Sequence, residues 1–364
     1  MIVPGDLETR TGGYGYDRRV ISGLRAIGWN VRLVRLADTF PFPTAAARAE
    51  AAAALAAIAD GEATIIDGLA LGALPDEAAL HASRLPIVAL VHHPLALETG
   101  LTAAQAAALE ASERRALTAA RHVVVTSRAT AATLSRYDVE PPRITTIEPG
   151  TDPAPLARIH RQHPEGAAPQ HPGGAAPDRS LNLLCVATLT PRKGYEVLLD
   201  ALAALAFDGW TLRCAGSADR DETTLAAVRA RLANPRLATR VELVGDLGPA
   251  ALGAEYDRAD IFVLATLYEG YGMAVAEALA RGLPVVSTAT GAIADLVGVD
   301  AGLVVPPGDP AAFAEALTRV LADAGLRARL AAGARCVRDR LPTWDAAAAR
   351  MAEVLARARD TRHG

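Results

Sequence analysis

Lys193 is the one lysine in a chain of 364 residues that carries 37 basic side chains, so the other 36 are arginine. A position that keeps a compact ammonium on a flexible stem under such a bias is one that a planar guanidinium does not serve. It stands in Thr190-Pro191-Arg192-Lys193-Gly194, where an apolar strand should turn into a helix. A cation at the carboxyl end of a strand, beside a helix N-terminus, suits a phosphate or diphosphate; the bland alternative is a surface turn. A second group is Tyr268-Glu269-Gly270-Tyr271-Gly272-Met273, followed by Glu277. Glu269 falls in a loop after a strand, and Glu277 lies about one turn inside the next helix. Gly270 and Gly272 bare the backbone amides at that helix start. Two carboxylates around such amides suit sugar hydroxyls and phosphate oxygens, or else simply cap a surface helix.

Two weaker groups lie nearer the start. Thr11-Gly12-Gly13-Tyr14-Gly15, between the first strand and first helix, permits close backbone approach but does not match G-x-G-x-x-G. Val91-His92-His93-Pro94 ends a strand. Adjacent side chains there point opposite ways, so at most one histidine faces a ligand. Without carboxylate or cysteine company, the pair is not expected to bind a metal.

The elements that must position these residues alternate along the chain. In the first half, strands are expected at Met1–Val3, Val31–Leu36, Thr64–Ile66, Pro86–Val91, His122–Thr126 and Arg143–Ile147, with helical patterns between them. In the second, strands are expected at Leu181–Ala187, Trp210–Ala215, Arg240–Val244, Asp260–Leu264, Pro284–Ser287 and Gly302–Val305. Strand–helix–strand repetition means βαβ units and parallel sheets. The expected division is an amino-terminal domain over 1–155, a Pro/Gly/Ala linker over 156–180, a carboxy-terminal domain over 181–340, and a helix over 341–364 that packs back toward the first domain. Two doubly wound halves predict a cleft lined by the carboxyl ends of strands.

Composition excludes several classes. With 37 basic and 41 acidic residues the net charge is −4, which argues against a general nucleic-acid binder. Three cysteines are too few and too scattered for a disulfide framework, and fit a reducing cytoplasm. No apolar run reaches membrane-spanning length, and the opening MIVPGDLETR lacks the pattern of a secretory leader. The first 155 residues hold 14 arginines against 17 acidic residues, which gives no support for docking to an anionic membrane, although peripheral contact at its inner face stays open.

Taken together, TGGYGYDRRV, VHHP, TPRKGYEVLLDAL, YEGYGMAVAEALARGLPVV and GLVVPPGD resemble, in order and over almost the whole chain, the retaining glycosyltransferases of the GT4 type. The Glu269-x7-Glu277 spacing is the most specific of these signals. The resemblance implies the GT-B fold, two Rossmann-like α/β domains facing a central cleft. It implies a donor that is a nucleotide diphosphate sugar, UDP- or GDP-linked, and a hydroxyl acceptor on a glycan, glycolipid or small molecule. No cofactor and no metal are expected. Carried over by position, Gly12 and Gly13 would lie near the diphosphate and acceptor, and Lys193 would neutralise the departing diphosphate. Glu269, with the backbone of Gly270, Tyr271, Gly272 and Met273, would hold the donor sugar and phosphate, and Glu277 the ribose. His92 would be the active-site histidine, with His93 the alternative. One departure stands out: the family's Gly-Arg before the lysine is replaced by Ala187-Thr188. Thr188 offers the donor a hydrogen bond but no charge, which leaves Arg192 or a single cation for the phosphates. An epimerase, or a nucleotide-sugar-binding protein without turnover, are the competing readings on the same frame. A phosphorylase would need a second lysine for pyridoxal phosphate.

Overall fold

The computed structural model describes residues 1–158 and 180–360. The linker expected over 156–180 lies almost wholly outside them. The chain divides into two compact units, Met1–Gly150 with the segment from Pro342, and Thr151–Leu341.

The first unit is built on six parallel strands, β1 (Ile2–Pro4), β2 (Val34–Leu36), β3 (Thr64–Asp67), β4 (Ile87–Val91), β5 (His122–Val125) and β6 (Ile144–Thr146), ordered β2-β1-β3-β4-β5-β6. β4 reads IVALV and every residue is buried, as expected of a parallel strand covered on both faces. Val31–Leu36 shortens to Val34–Leu36, because its ladder partner β1 spans only Ile2–Pro4. The helix Trp344–Asp360 packs against the helix Gly12–Ala26 through Ala347, Met351, Val354 and Leu355. Gly23 makes the approach possible, since a Cβ there would fall 2.5 Å from the Ala348 Cβ.

The second unit carries β7 (Leu181–Val186), β8 (Trp210–Ala215), β9 (Val241–Gly245), β10 (Ile261–Leu264), β11 (Val285–Thr288) and β12 (Gly302–Val305), all parallel and ordered β12-β11-β10-β7-β8-β9. The helix Ala324–Arg338 escapes the periodicity reading. Its four arginines and two glycines leave a thin stripe of Leu330, Ala331 and Ala334, and it follows Pro310–Ala322 with Asp323 as the shared cap. Gly333 seats it, because a Cβ there would meet the Asp300 carbonyl oxygen at 2.0 Å.

In both sheets the chain order reverses beside the first strand, between β1 and β3 and between β7 and β10. At such a point the loops leaving neighbouring strands run to opposite faces and open a crevice at the strands' carboxyl ends. The candidate residues of the sequence gather at these two places.

Burial of one acid has a consequence for stability. Glu113, on the helix Ala103–Ala119, is buried and accepts a hydrogen bond from the Leu95 amide at 2.9 Å. Desolvation pushes its carboxyl up to about 8, against 4.5 ordinarily. Between those values the unfolded chain ionises while the folded chain holds its proton, so this group makes stability fall as pH rises. Glu113→Gln removes the titration. Its melting temperature relative to the parent should therefore climb by several degrees between pH 5 and pH 8, as calorimetry would show. An offset that is the same at every pH would contradict the assignment.

Candidate active site

In the second unit the β7 and β10 loops are stitched into one surface. After β7 a short turn, Pro191–Lys193, presents Arg192 and Lys193, and Gly194 at φ +64° opens the helix Tyr195–Ala204. Only glycine fits there, since a Cβ would lie 2.0 Å from the Ala265 carbonyl oxygen. From the β10 side, the Leu267 amide donates to the Arg192 carbonyl at 2.7 Å, and the buried Thr266 hydroxyl lies 2.9 Å from the same oxygen. Arg192 donates back to the Tyr268 carbonyl at 3.0 Å.

Lys193 Nζ pairs with Glu269 Oε1, and Arg192 stands 3.8 Å from Glu269 Oε2. Two cations therefore flank one nearly buried carboxylate. Arg192 brings its charge to the side of Lys193, where Thr188, half-buried in the loop after β7, brings none. Glu269 itself is held from behind, because Gly291 packs so closely that a Cβ would fall 1.5 Å from the Glu269 carbonyl oxygen. The helix Met273–Ala280 starts at Gly272, φ +98°, with no side-chain cap on its first amides. Gly270 and Met273 are half-buried around that start, and Tyr271 is buried. Uncapped amides, a helix N-terminus and two cations thus stand together, and each of these groups favours negative charge nearby.

Glu277, on the fifth residue of that helix, accepts from the Tyr256 hydroxyl at 3.0 Å. Burial pushes the Tyr256 phenol up, so it stays a donor. Arg281 stacks 4.3 Å over the Tyr256 ring and donates to the Glu277 carbonyl at 2.9 Å. Glu277 therefore has a preset orientation.

The first unit holds a separate cluster at its own reversal point. Gly12 and Gly13 form the first turn of the helix Gly12–Ala26, capped by Thr11, rather than the loop ahead of it. The following residues, with tyrosines at 14 and 16, sustain the helical pattern from the cap onward. Gly13 gives the His92 ring its place, with room for a Cβ only at 3.4 Å from Cδ2. His92 and His93 diverge: His93 pairs with Glu98 at 3.1 Å, whereas His92 Nε2 lies 3.2 Å from Asp17 Oδ1 and 3.4 Å from Asp67 Oδ2. Both aspartates are buried.

Neither acid was singled out in the sequence. Asp17 reads as one of the polar residues of an amphipathic helix, and Asp67 as the cap that it also is, accepting from the Leu69 amide at 2.7 Å. The available signal was Asp67 closing an apolar strand, TIID, as His92 follows directly on the apolar strand β4. The carboxylate company that the histidines lacked in sequence is thus supplied by folding. Burial opposes the charge on His92, but the two acids outweigh it and raise the imidazole to about 10. Burial pushes Asp17 up to about 6, with Asp67 adding to the rise and His92 opposing it. The three donor atoms lie within 4.8 Å of one another, the one such convergence among the described residues. An imidazolium between two carboxylates already answers their charge.

Comparison with known proteins adds the family. The model for "Glycosyl transferases group 1" matches residues 180–323, and that for "Glycosyltransferase Family 4" matches residues 15–155. A D-inositol 3-phosphate glycosyltransferase from Salinispora tropica is 33% identical over 216 residues, 56% of this chain and 44% of that protein. A phosphatidyl-myo-inositol mannosyltransferase from Mycobacterium leprae is 34% identical over 153 residues, 41% of this chain and 39% of that protein. The chain spans about half the length of the curated relatives it matches. Among solved structures, a sucrose-phosphate synthase from Thermosynechococcus elongatus superposes with TM-score 0.78 at 22% identity, covering 98% of this chain and 97% of that one. HepE from Anabaena, solved with UDP-glucose, gives TM-score 0.73 at 17% identity, over 98% and 99% of the two chains. These two show a shared fold. No helix among the described residues is long and apolar enough to cross a membrane. With both halves matched by its models, the chain belongs to the group 1, family 4 glycosyltransferases, built on the GT-B fold.

Proposed function

We propose that this protein transfers a sugar from a nucleotide diphosphate sugar to a hydroxyl acceptor with retention of anomeric configuration. The observation that carries the proposal is the β7–β10 site, where Lys193, Arg192 and the uncapped start of the helix Met273–Ala280 surround Glu269. Breaking the anomeric C–O bond leaves new negative charge on a diphosphate. Preorganised cations and amides aimed at that charge lower the barrier, each by about 3 kcal/mol. Lys193 and Arg192 take this role in place of a divalent metal, Glu269 grips the donor sugar, and Glu277 grips the ribose. No protein nucleophile is assigned; the acceptor hydroxyl attacks from the face that the phosphate leaves. HepE, solved with UDP-glucose, supports a UDP-linked donor. Relatives named for inositol phosphates support a polyol or glycolipid acceptor, and the few scattered cysteines suit a reaction in the cytoplasm.

The test is a donor panel of UDP-, GDP-, ADP- and dTDP-sugars, in EDTA throughout, followed by two variants. Glu269→Gln should lower kcat by more than about tenfold with nucleotide affinity little changed, because the sugar contact matters most where the bond breaks. Glu277→Ala should chiefly raise donor KM. The reverse pattern would mean that the two roles are exchanged. Turnover that returns only when Mg²⁺ is added would sink the metal-free reading.

A further inference from the structure

The acids beside His92 have no role in the proposal above, yet burying two carboxylates is costly unless their charge is paired. They reach the ring from separate elements, Asp17 from the helix Gly12–Ala26 and Asp67 from the end of β3. Both address the same nitrogen, Nε2. Asp67 spends its other oxygen capping Gly68–Leu71, so its orientation is set by the backbone. Asp17 Oδ2 is buried with no hydrogen-bond partner among the described residues, so Asp17 depends on His92 to answer its charge. The ring is braced on its other sides. Tyr16 meets it edge-on at 5.4 Å, its hydroxyl donating to the Ile147 carbonyl at 3.1 Å, and Thr126 donates to the His92 carbonyl at 3.3 Å. One-fifth of the side chain stays exposed, and no protein group among the described residues bonds Nδ1.

We propose that Asp17 and Asp67 are positioning residues that hold His92 as an imidazolium, with the Nε2 proton shared between their carboxylates, so that His92 serves the reaction through Nδ1–H as a hydrogen-bond donor and not as a base. The inference rests on the transfer reaction proposed above. A neutral histidine with a free lone pair could take the acceptor's proton; an imidazolium with Nε2 occupied has no lone pair to offer. Its outward N–H instead stabilises a substrate oxygen that gains charge. This suits a reaction in which the departing phosphate, rather than a side chain, receives the acceptor proton. The groups facing the ring are Asp17 and Tyr16 from the first helix and Asp67 from β3, with Arg350 acting on Tyr16 from the carboxy-terminal helix. The elevation of the imidazole to about 10 accords with this arrangement.

The experiment has two readouts on the full chain. In the first, ¹⁵N-histidine spectra are followed from pH 6 to 8.5, with His92 assigned among the eight histidines by the spectrum of His92→Gln. His92 should remain charged throughout in the parent, and its midpoint should drop by at least two pH units in Asp17→Asn. A parent His92 that titrates between pH 6 and 7 overturns the proposal. In the second, UDP release from UDP-glucose is measured over the same range. The parent should show no limb attributable to His92. Asp17→Asn should lose at least half of its kcat between pH 6 and pH 8 and regain it on acidification, and the limb should vanish when His92→Gln is added. A purely structural acid would lower activity equally at every pH, and that result also overturns the proposal. Should Asp17→Asn fail to fold, Asp67→Asn supplies the same comparison, and the parent titration decides by itself. A parent that keeps His92 charged but turns over no nucleotide sugar overturns the transfer reading instead, and with it the use of His92 assigned here.

Discussion

Lys193→Met should lower kcat/KM for the nucleotide sugar by about 10²–10³-fold, the loss expected when one preorganised donor to developing charge is removed. The ammonium is tied to Glu269 in the structure, and Arg192 reaches the same carboxylate from 3.8 Å. A diphosphate entering this site competes with Glu269 for both cations. Lys193→Arg should recover little, since a planar fork does not fit the place where a compact ammonium meets the charge that builds on the leaving phosphate oxygen. The lone lysine also permits a chemical test. Apart from the α-amino group, an amine-selective acylating reagent meets one aliphatic amine in this chain, and peptide mapping reports it. Acylation should abolish turnover, and UDP should protect. If the modified protein keeps full activity, Lys193 is a surface residue and the phosphate site lies elsewhere.

Gly291→Ala should be the most disruptive single methyl in the second unit. Its Cβ would fall 1.5 Å from the Glu269 carbonyl oxygen, and its φ of +55° already disfavours an L side chain. Either the loop carrying Glu269 moves or the unit loses more than about 3 kcal/mol. Gly298→Ala is the control. It has a similar φ of +61° but nothing within 4 Å, so it should cost only the backbone strain of its own conformation, about 1–3 kcal/mol. Denaturant unfolding of the two variants separates backbone strain from collision. Equal destabilisation would mean that Gly291 does not brace Glu269.

The pairing region of Lys193 and Glu269 was readable from the sequence as a pair of strand-to-helix loops because its parts are local. Lys193 and Glu269 each follow a strand by a few residues and precede a helix by a few more. In a parallel sheet that position is always the carboxyl edge. Pro249–Arg258 and Pro310–Ala322 carry local signals too, a proline at each start and, in the second, an apolar stripe of Phe313, Ala316, Leu317, Val320 and Leu321. The helix Ala324–Arg338 was not legible, because glycines at 325 and 333 read as breaks and only Leu330, Ala331 and Ala334 are buried.

What the sequence determined by itself was the alternation of strands and helices, the two-part division, and the loops that carry cations, carboxylates and bare amides. Tertiary structure decided which strands neighbour each other, and hence which loops meet. β7 and β10 stand side by side although β8 and β9 lie between them in the chain, and that adjacency sets Lys193 against Glu269. In the first sheet, β3 and β4 lie side by side and set Asp67 against His92 across 25 positions, and the helix after β1 brings Asp17 from 75 positions away. Burial then decides their chemistry. An aspartate on an exposed helix face is an ordinary solvated charge, but with water removed its charge must be met by a partner. No spacing along the chain records that partner, because strand order, not sequence separation, brings the two together.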